Sequence, residues 1–234
     1  MSLDTFERGT LTHLLVLIVS AVVVGLLVFA QRRTRSQDHA KADRFRLAMG
    51  IAILTFQILH NLYWLFLREG GFDVHESLPL HFCDISGLVA AAALLFPDRR
   101  LVTILYFWGV GLSSTAFIIP VITEGPGHLV FWTFWTSHLI IVGGAVFFVL
   151  AEGYRPTFND LLFAIAVTTG YVLCLLGLTT AWFFFSFLLL DLSAPHLEAL
   201  LFGLVANSGL CCVLKCCWNP SRSLRVAPAD DNAG

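Results

Sequence analysis

Leu78–Phe96 reads LPLHFCDISGLVAAAALLF. The stretch is long enough to cross the hydrocarbon core of a bilayer, yet its first third carries His81, Cys83, Asp84 and Ser86. Ionisable groups at membrane depth are costly, and by default they mark a functional site. Pro79 suits the first turn of a helix, where its missing N–H costs nothing, so the polar residues fall within the first two turns. The remaining apolar segments read as helices that enclose this end of this one.

The composition agrees with a membrane-embedded chain. Of 234 residues, 57% are hydrophobic and only 13% charged, with a mean hydropathy of +0.80; soluble domains are about a quarter charged. Lipid admits only helices and closed barrels, because every backbone polar group must be satisfied internally. The apolar runs here are continuous rather than alternating, which rejects a barrel. The expectation is an all-α, polytopic bundle of seven transmembrane helices forming one domain over 1–217, with 218–234 a disordered cytoplasmic tail. The N-terminus is acidic rather than basic and no small-residue cleavage site follows, so no cleavable signal peptide is expected. The six cysteines lie in or beside apolar segments and make no disulfide framework. Cys211, Cys212, Cys216 and Cys217 suit small apolar residues at a membrane boundary, with metal binding or S-palmitoylation as alternatives.

In chain order the spans read Leu11–Ala30, Leu47–Leu67, Leu78–Phe96, Leu101–Ile122, His128–Leu150, about Asp160–Leu178 and His196–Cys217. Gln31–Arg46 is a basic loop, and 179–195 reads as a re-entrant or interfacial piece broken by Asp191 and Pro195. With seven spans, twelve of the fourteen Lys and Arg residues fall on one side and only Arg8 and Arg68 on the other. That is the positive-inside pattern, which puts the N-terminus outside and the C-terminus in the cytoplasm. A bacterial inner membrane and an endomembrane fit it equally.

Orientation assigns each polar residue a depth at ~1.5 Å per residue. Cys83 falls ~8 Å below the start of helix 3 and His138 ~15 Å into helix 5. Gln57, His60 and Asn61 share one face of helix 2 at spacing i, i+3, i+4. Ser113 in helix 4 and Ser137 in helix 5 lie in the same outer half, whereas the cytoplasmic halves read as nearly all apolar. Each residue also has a bland reading. Membrane Ser and Thr side chains commonly bond their own i−4 carbonyls, His81 suits an interface, and Asp84 could simply accept a bond from His81. Their joint occurrence favours a shared cavity.

A buried thiol is inert unless a base stands within hydrogen-bond reach. His138 is the candidate base for Cys83, with His81 or His60 as substitutes. A Cys–His pair facing the outer leaflet would meet lipid ester carbonyls, which suggests acyl transfer through a thioester. Amides at the start of helix 3, or a hydroxyl such as Ser113 or Ser137, could stabilise the oxyanion.

Three segments resemble a known family. SLPLHFCDISGLVA (77–90) resembles the PLHLC signature of a bacterial integral-membrane family related to vertebrate transmembrane protein 164. YFWGVGLSSTAFIIP (106–120) resembles its helix 4, and FWTFWTSHLIIV (131–142) its helix 5. The likeness covers roughly Gln57 to Ile141; after helix 6 this chain has Thr179–Trp182 where relatives carry an Asn-Tyr motif. The resemblance implies seven helices. It also implies a cysteine acyltransferase remodelling ether phospholipids, as in the vertebrate member, with nucleophile and partner at Cys83 and His138.

The expected function is therefore a lipid acyltransferase or transacylase, or a lipase if water is the acceptor. Cys83 and His138 would be catalytic, and His81, Asp84, Gln57, His60, Asn61, Ser113 and Ser137 would line or support the pocket. Its partners would be membrane phospholipid and lysophospholipid rather than nucleic acid, with no cofactor and no metal. Two rivals remain open at this point: a small-solute or proton transporter, and a metal-binding protein using His60, His81, Cys83, Asp84 and His138.

Overall fold

A computed structural model describes residues 4–67 and 81–190, with side chains to 181. Among these residues the chain is helical, with no strand beyond a single bridge between Thr5 and Glu124. Helix α1 spans Leu11–Gln37 and α2 spans His39–Leu62, continued by a π-helical turn over Tyr63–Leu67. Helix α3 spans Phe82–Leu95. Helix α4 begins at Arg99–Tyr106, widens into a π-helix over Phe107–Ser113 and closes with Thr115–Ile118. Helix α5 spans Leu129–Leu150 and α6 spans Phe158–Leu190. All but α3 are long and apolar enough to cross a membrane. The expected seventh span, the tail and Arg68 lie outside the described residues.

Two helix boundaries need correction first. The segment 31–46 is no loop: α1 and α2 continue through it and reverse at one residue. Asp38 sits there in extended backbone (φ −157°, ψ 109°), and its side chain accepts from Lys41 N at the start of α2, an N-cap that the sequence pattern obscures among charges. Likewise the sixth helix does not stop near Leu178, and the backbone stays helical to Leu190. Thr179 and Thr180 bond back to the carbonyls of Leu175 and Leu176 at 2.9 and 2.7 Å, so their hydroxyls join the helix rather than end it.

The helices run alternately up and down. Phe6 N donates to Thr123 O and Gly125 N to Asp4 O, so the N-terminal segment closes over the α4–α5 connection at one end. Phe6, Phe131, Trp135 and Ile122 form an aromatic cluster there. His13 is buried in it and fully used: Nε2 donates to Phe117 O at 3.0 Å, and Nδ1 accepts from Gly9 N at 3.2 Å. Arg32, Arg33, Arg35, Lys41, Arg44, Arg46, Arg99, Arg100 and Arg155 all gather at the opposite end, leaving Arg8 at the first.

Helix α3 is the inner element. Its fourteen residues span only ~21 Å, short of the ~30 Å hydrocarbon thickness, and it is packed most heavily by α2, with α4 and α5 also against it. Small residues permit that approach. A Cβ on Gly87 would lie 1.7 Å from Gln57 Nε2, and one on Gly50 would lie 2.9 Å from Leu95. Leu95 is thereby level with the lower part of α2, and Arg46 donates to the Leu94 carbonyl. The first turn of α3 consequently meets His60 of α2 and His138 of α5.

Candidate active site

His81 is the N-cap of α3, with extended backbone (φ −64°, ψ 140°) and no capping bond from its side chain. Cys83 and Asp84 follow in the first turn. Consecutive helical side chains point about 100° apart, so the two look in different directions, Cys83 toward α5 and Asp84 toward α2. Sequence spacing alone cannot choose which residue faces which helix; the packing does.

On the α5 side, Cys83 Sγ stands 3.5 Å from His138 Nε2. His138 is buried, nine residues into α5, or ~14 Å from its start. Its Nδ1 lies 2.8 Å from Phe134 O. A carbonyl oxygen can only accept, so the neutral ring carries its proton on Nδ1 and turns the Nε2 lone pair toward the sulfur. The Phe134 ring tilts against the imidazole at 4.3 Å between centroids and fixes its plane. Cys83 is half-buried.

On the α2 side, His60 Nε2 lies 3.7 Å from Asp84 Oδ1, both side chains largely enclosed. Gln57, one turn earlier and 1% exposed, donates from Nε2 to the Asp84 carbonyl at 3.2 Å. His60 stacks on Phe56 with rings 5.7 Å apart and 17° from parallel. Asn61 donates to its own helix, at Gln57 O, 2.8 Å away.

Four polar atoms of the expected residues are buried without a hydrogen-bond partner: Gln57 Oε1, His60 Nδ1, Ser113 Oγ and Ser137 Oγ. Such atoms are uncommon in native proteins, and each calls for an explanation. The serines are the more telling because their neighbours obey the usual pattern. Ser86 bonds Phe82 O, Ser114 bonds Val110 O and Thr133 bonds Val130 O. Ser113 ends the π-helical segment of α4, where an extra residue per turn re-aims side chains and which recurs at functional sites. Gly109 in that segment touches α5 closely, for a Cβ there would lie 2.9 Å from Ile141 O. Since α4 and α5 are antiparallel, Ser113 and Ser137, each four residues away from that contact, sit at one level.

Sequence reasoning missed the aromatic support. Phe82 packs on Trp108 at 4.7 Å and on Tyr171 at 6.0 Å, and Trp108 Nε1 donates to Thr168 Oγ1 at 2.8 Å. That set steadies the first turn of α3 from the side opposite α2. It has no period or motif to betray it, because any aromatic in an apolar span looks alike.

Sequence reasoning also missed the basic end, which is not apolar. Arg99 forks onto both oxygens of Asp160 at 3.1 and 2.6 Å, and Thr103 Oγ1 bonds Asp160 Oδ1 at 3.2 Å and Tyr154 OH at 2.8 Å. Thr157 and Asp160 form a reciprocal cap for α6, Thr157 N donating to Oδ2 at 2.8 Å. Burial pushes the Tyr154 phenol above its ordinary value. Glu152 pairs with Arg35 and accepts from Gln31 Nε2 at 2.6 Å. The TFND run (157–160) is the one signal that could have pointed to this cluster.

Among the described residues no three His, Cys, Asp or Glu side chains converge as a metal site. Of the five expected residues, Cys83 meets His138 and Asp84 meets His60, while His81 stands at the N-cap of α3. No curated protein and no solved structure matches the chain. The family comparison reaches further than the motif segments: residues 9–190, taking in all six described helices and both pairs, match the TMEM164 family. This multi-pass integral-membrane chain belongs to the TMEM164 family.

Proposed function

We propose that the protein is a membrane lipid acyltransferase or transacylase working through a thioester on Cys83. One observation carries the reading: Cys83 Sγ lies 3.5 Å from an imidazole nitrogen whose ring is held by a backbone carbonyl. His138 Nε2 takes the thiol proton as the sulfur attacks the ester carbonyl of a phospholipid. The carbon–oxygen bond then breaks, leaving a lysophospholipid and an acyl thioester. A second lysophospholipid hydroxyl attacks that thioester, the carbon–sulfur bond breaks, and His138 returns its proton to the sulfur. The departing oxygen must gain a proton and the entering oxygen must lose one, either by relay through His138 or through a second acid–base group.

The surroundings support this chemistry. Cys83 lies at the N-terminal turn of α3, where the helix dipole is positive, and the oxyanion would form there. The Ser113 and Ser137 hydroxyls add donors without protein partners. An apolar cavity of about 240 Å³ between α1, α2, α3 and α5 is lined on α5 by residues from Leu139 to Phe147. Leu94, three turns along α3 from Cys83, also lines it; such a space suits an acyl chain. With the basic end in the cytoplasm, the Cys–His pair opens toward the outer leaflet.

The test is a thiol-reactive, lipid-like probe with mass spectrometry of the labelled residue. Cys83 is expected to be the site in the wild type, with labelling lost in Cys83→Ala and slowed ~10²–10⁴-fold in His138→Ala. Acyl exchange between phospholipids that persists in Cys83→Ala would refute the mechanism.

A further inference from the structure

Among the described helices His13 and His138 are buried and His60 largely enclosed, and their ring nitrogens are used differently. His13 has both nitrogens occupied within the protein. His138 has one nitrogen on a carbonyl and the other on Cys83. His60 has Nε2 on the Asp84 carboxylate, while Nδ1 is buried with no partner. Beside it Gln57, 1% exposed, has its amide oxygen unpartnered although its nitrogen is bound to α3. Two unpartnered polar atoms on successive turns of α2, both against the first turns of α3, are ones that a polar ligand would satisfy.

The His60–Asp84 pair meets the same helical turn as the thiol. Cys83 and Asp84 are consecutive, so the Cys83–His138 pair and the Asp84–His60 pair flank one helical turn from different sides. We infer that His60, backed by Asp84, is the second acid–base group of this site, protonating the departing lipid oxygen and deprotonating the acceptor hydroxyl. This rests on the thioester reading above and assigns the step that reading leaves open.

The proton count closes. At rest the His60–Asp84 pair holds one exchangeable proton. His138 takes the thiol proton as Cys83 attacks, and His60 gives its proton to the departing glycerol oxygen, which leaves as an alcohol. The pair is then imidazole and carboxylate. The carboxylate, which only accepts, keeps the remaining ring hydrogen on Nε2 and leaves the Nδ1 lone pair for the incoming hydroxyl. When that hydroxyl attacks the thioester, its proton goes to His60 Nδ1, and His138 returns the first proton to the sulfur. Both pairs are restored, and one acyl group has moved between oxygens. Water can take the place of the incoming alcohol with the same bookkeeping of protons.

The experiment separates the two histidines by leaving group. A p-nitrophenyl long-chain ester departs as a phenolate and needs no acid, so its acylation step bypasses His60. Purified full-length protein in detergent or nanodiscs is mixed with this ester, and released nitrophenolate is followed together with the intact mass of the protein. In His60→Gln the acyl-enzyme should form at a rate within about threefold of wild type. Its transfer to added lysophospholipid should fall ~10²–10⁴-fold, so that acylated Cys83 accumulates. Asp84→Asn should do the same to a lesser degree. In His138→Gln the acylation burst itself should be lost. A His60→Gln protein that deacylates like wild type would overturn the inference, as would one that loses burst and turnover together while Asp84→Asn behaves normally. No acyl-enzyme in wild type would instead refute the thioester reading, and this inference with it.

Discussion

At the basic end of the bundle Asp160 receives donors from Arg99, Thr103 and Thr157, and Glu152 receives them from Gln31 and Arg35. At the level of the α3 N-terminus Gln57, His60, Ser113 and Ser137 each keep a buried atom with no partner. The first arrangement resembles a helix cap extended into an ion-pair network, and Gln31 Oε1 is its lone unpartnered atom. It satisfies polar groups where four helices meet, and so holds them in place. The second leaves polar atoms unsatisfied in an apolar setting, which is destabilising unless a ligand completes them. Buried polarity therefore does two jobs in one small bundle, and the difference lies in whether the protein itself supplies the partner.

Mutations can break that contrast. The largest effect is expected at Cys83: Cys83→Ala should abolish thioester formation by mass spectrometry, yet change thermal stability little because the site is half-buried. Next, Gly87→Ala would drive a methyl group into Gln57, only 1.7 Å from Nε2. It should destabilise by about 1–3 kcal/mol and slow acyl transfer, read by melting and turnover together. Asp160→Ala removes the α6 cap and the Arg99 fork. It should cost about 1–2 kcal/mol while leaving the labelling of Cys83 by a thiol probe unchanged below the melting temperature. A variant at Asp160 that loses thiol labelling without melting would show that the two ends are coupled. Ser137→Ala sharpens the comparison from the other side. Because its hydroxyl has no protein partner, stability should be unchanged within about 0.5 kcal/mol, while acylation slows about tenfold if the hydroxyl donates to the oxyanion. The smallest effect belongs to Thr179→Ala and Thr180→Ala, whose hydroxyls only bond their own helix; neither melting nor transfer should move measurably.

The three histidines make the same lesson local. An imidazole in an apolar span is an ionisable group needing a partner, and the sequence flags His60 and His138 alike on that ground. Nothing in their spacing says that one ring meets a thiol and the other a carboxylate. His13 stands near a helix start, where nothing in the sequence singles it out; in the fold it is buried, and its two ring bonds tie the N-terminal turn to α4.

The sequence alone determined the class of the molecule. Continuous apolar runs with so few charges leave helices in lipid as the only way to satisfy the backbone, and the crowding of His81, Cys83 and Asp84 into one such run marks where to look. Hydropathy reports burial in lipid and burial in protein alike, however, so it could not show that α3 is a short inner helix or that the basic segment is two helices meeting at Asp38. Nor could it see the Arg99–Asp160 network, whose members lie sixty-one positions apart. Tertiary packing decided which side of the α3 turn each polar residue faces, because Gly87 sets how closely α3 packs on α2 and Gly109 how closely α4 packs on α5. Distances of a few ångströms between side chains on different helices come from that approach, and no period along the chain encodes them.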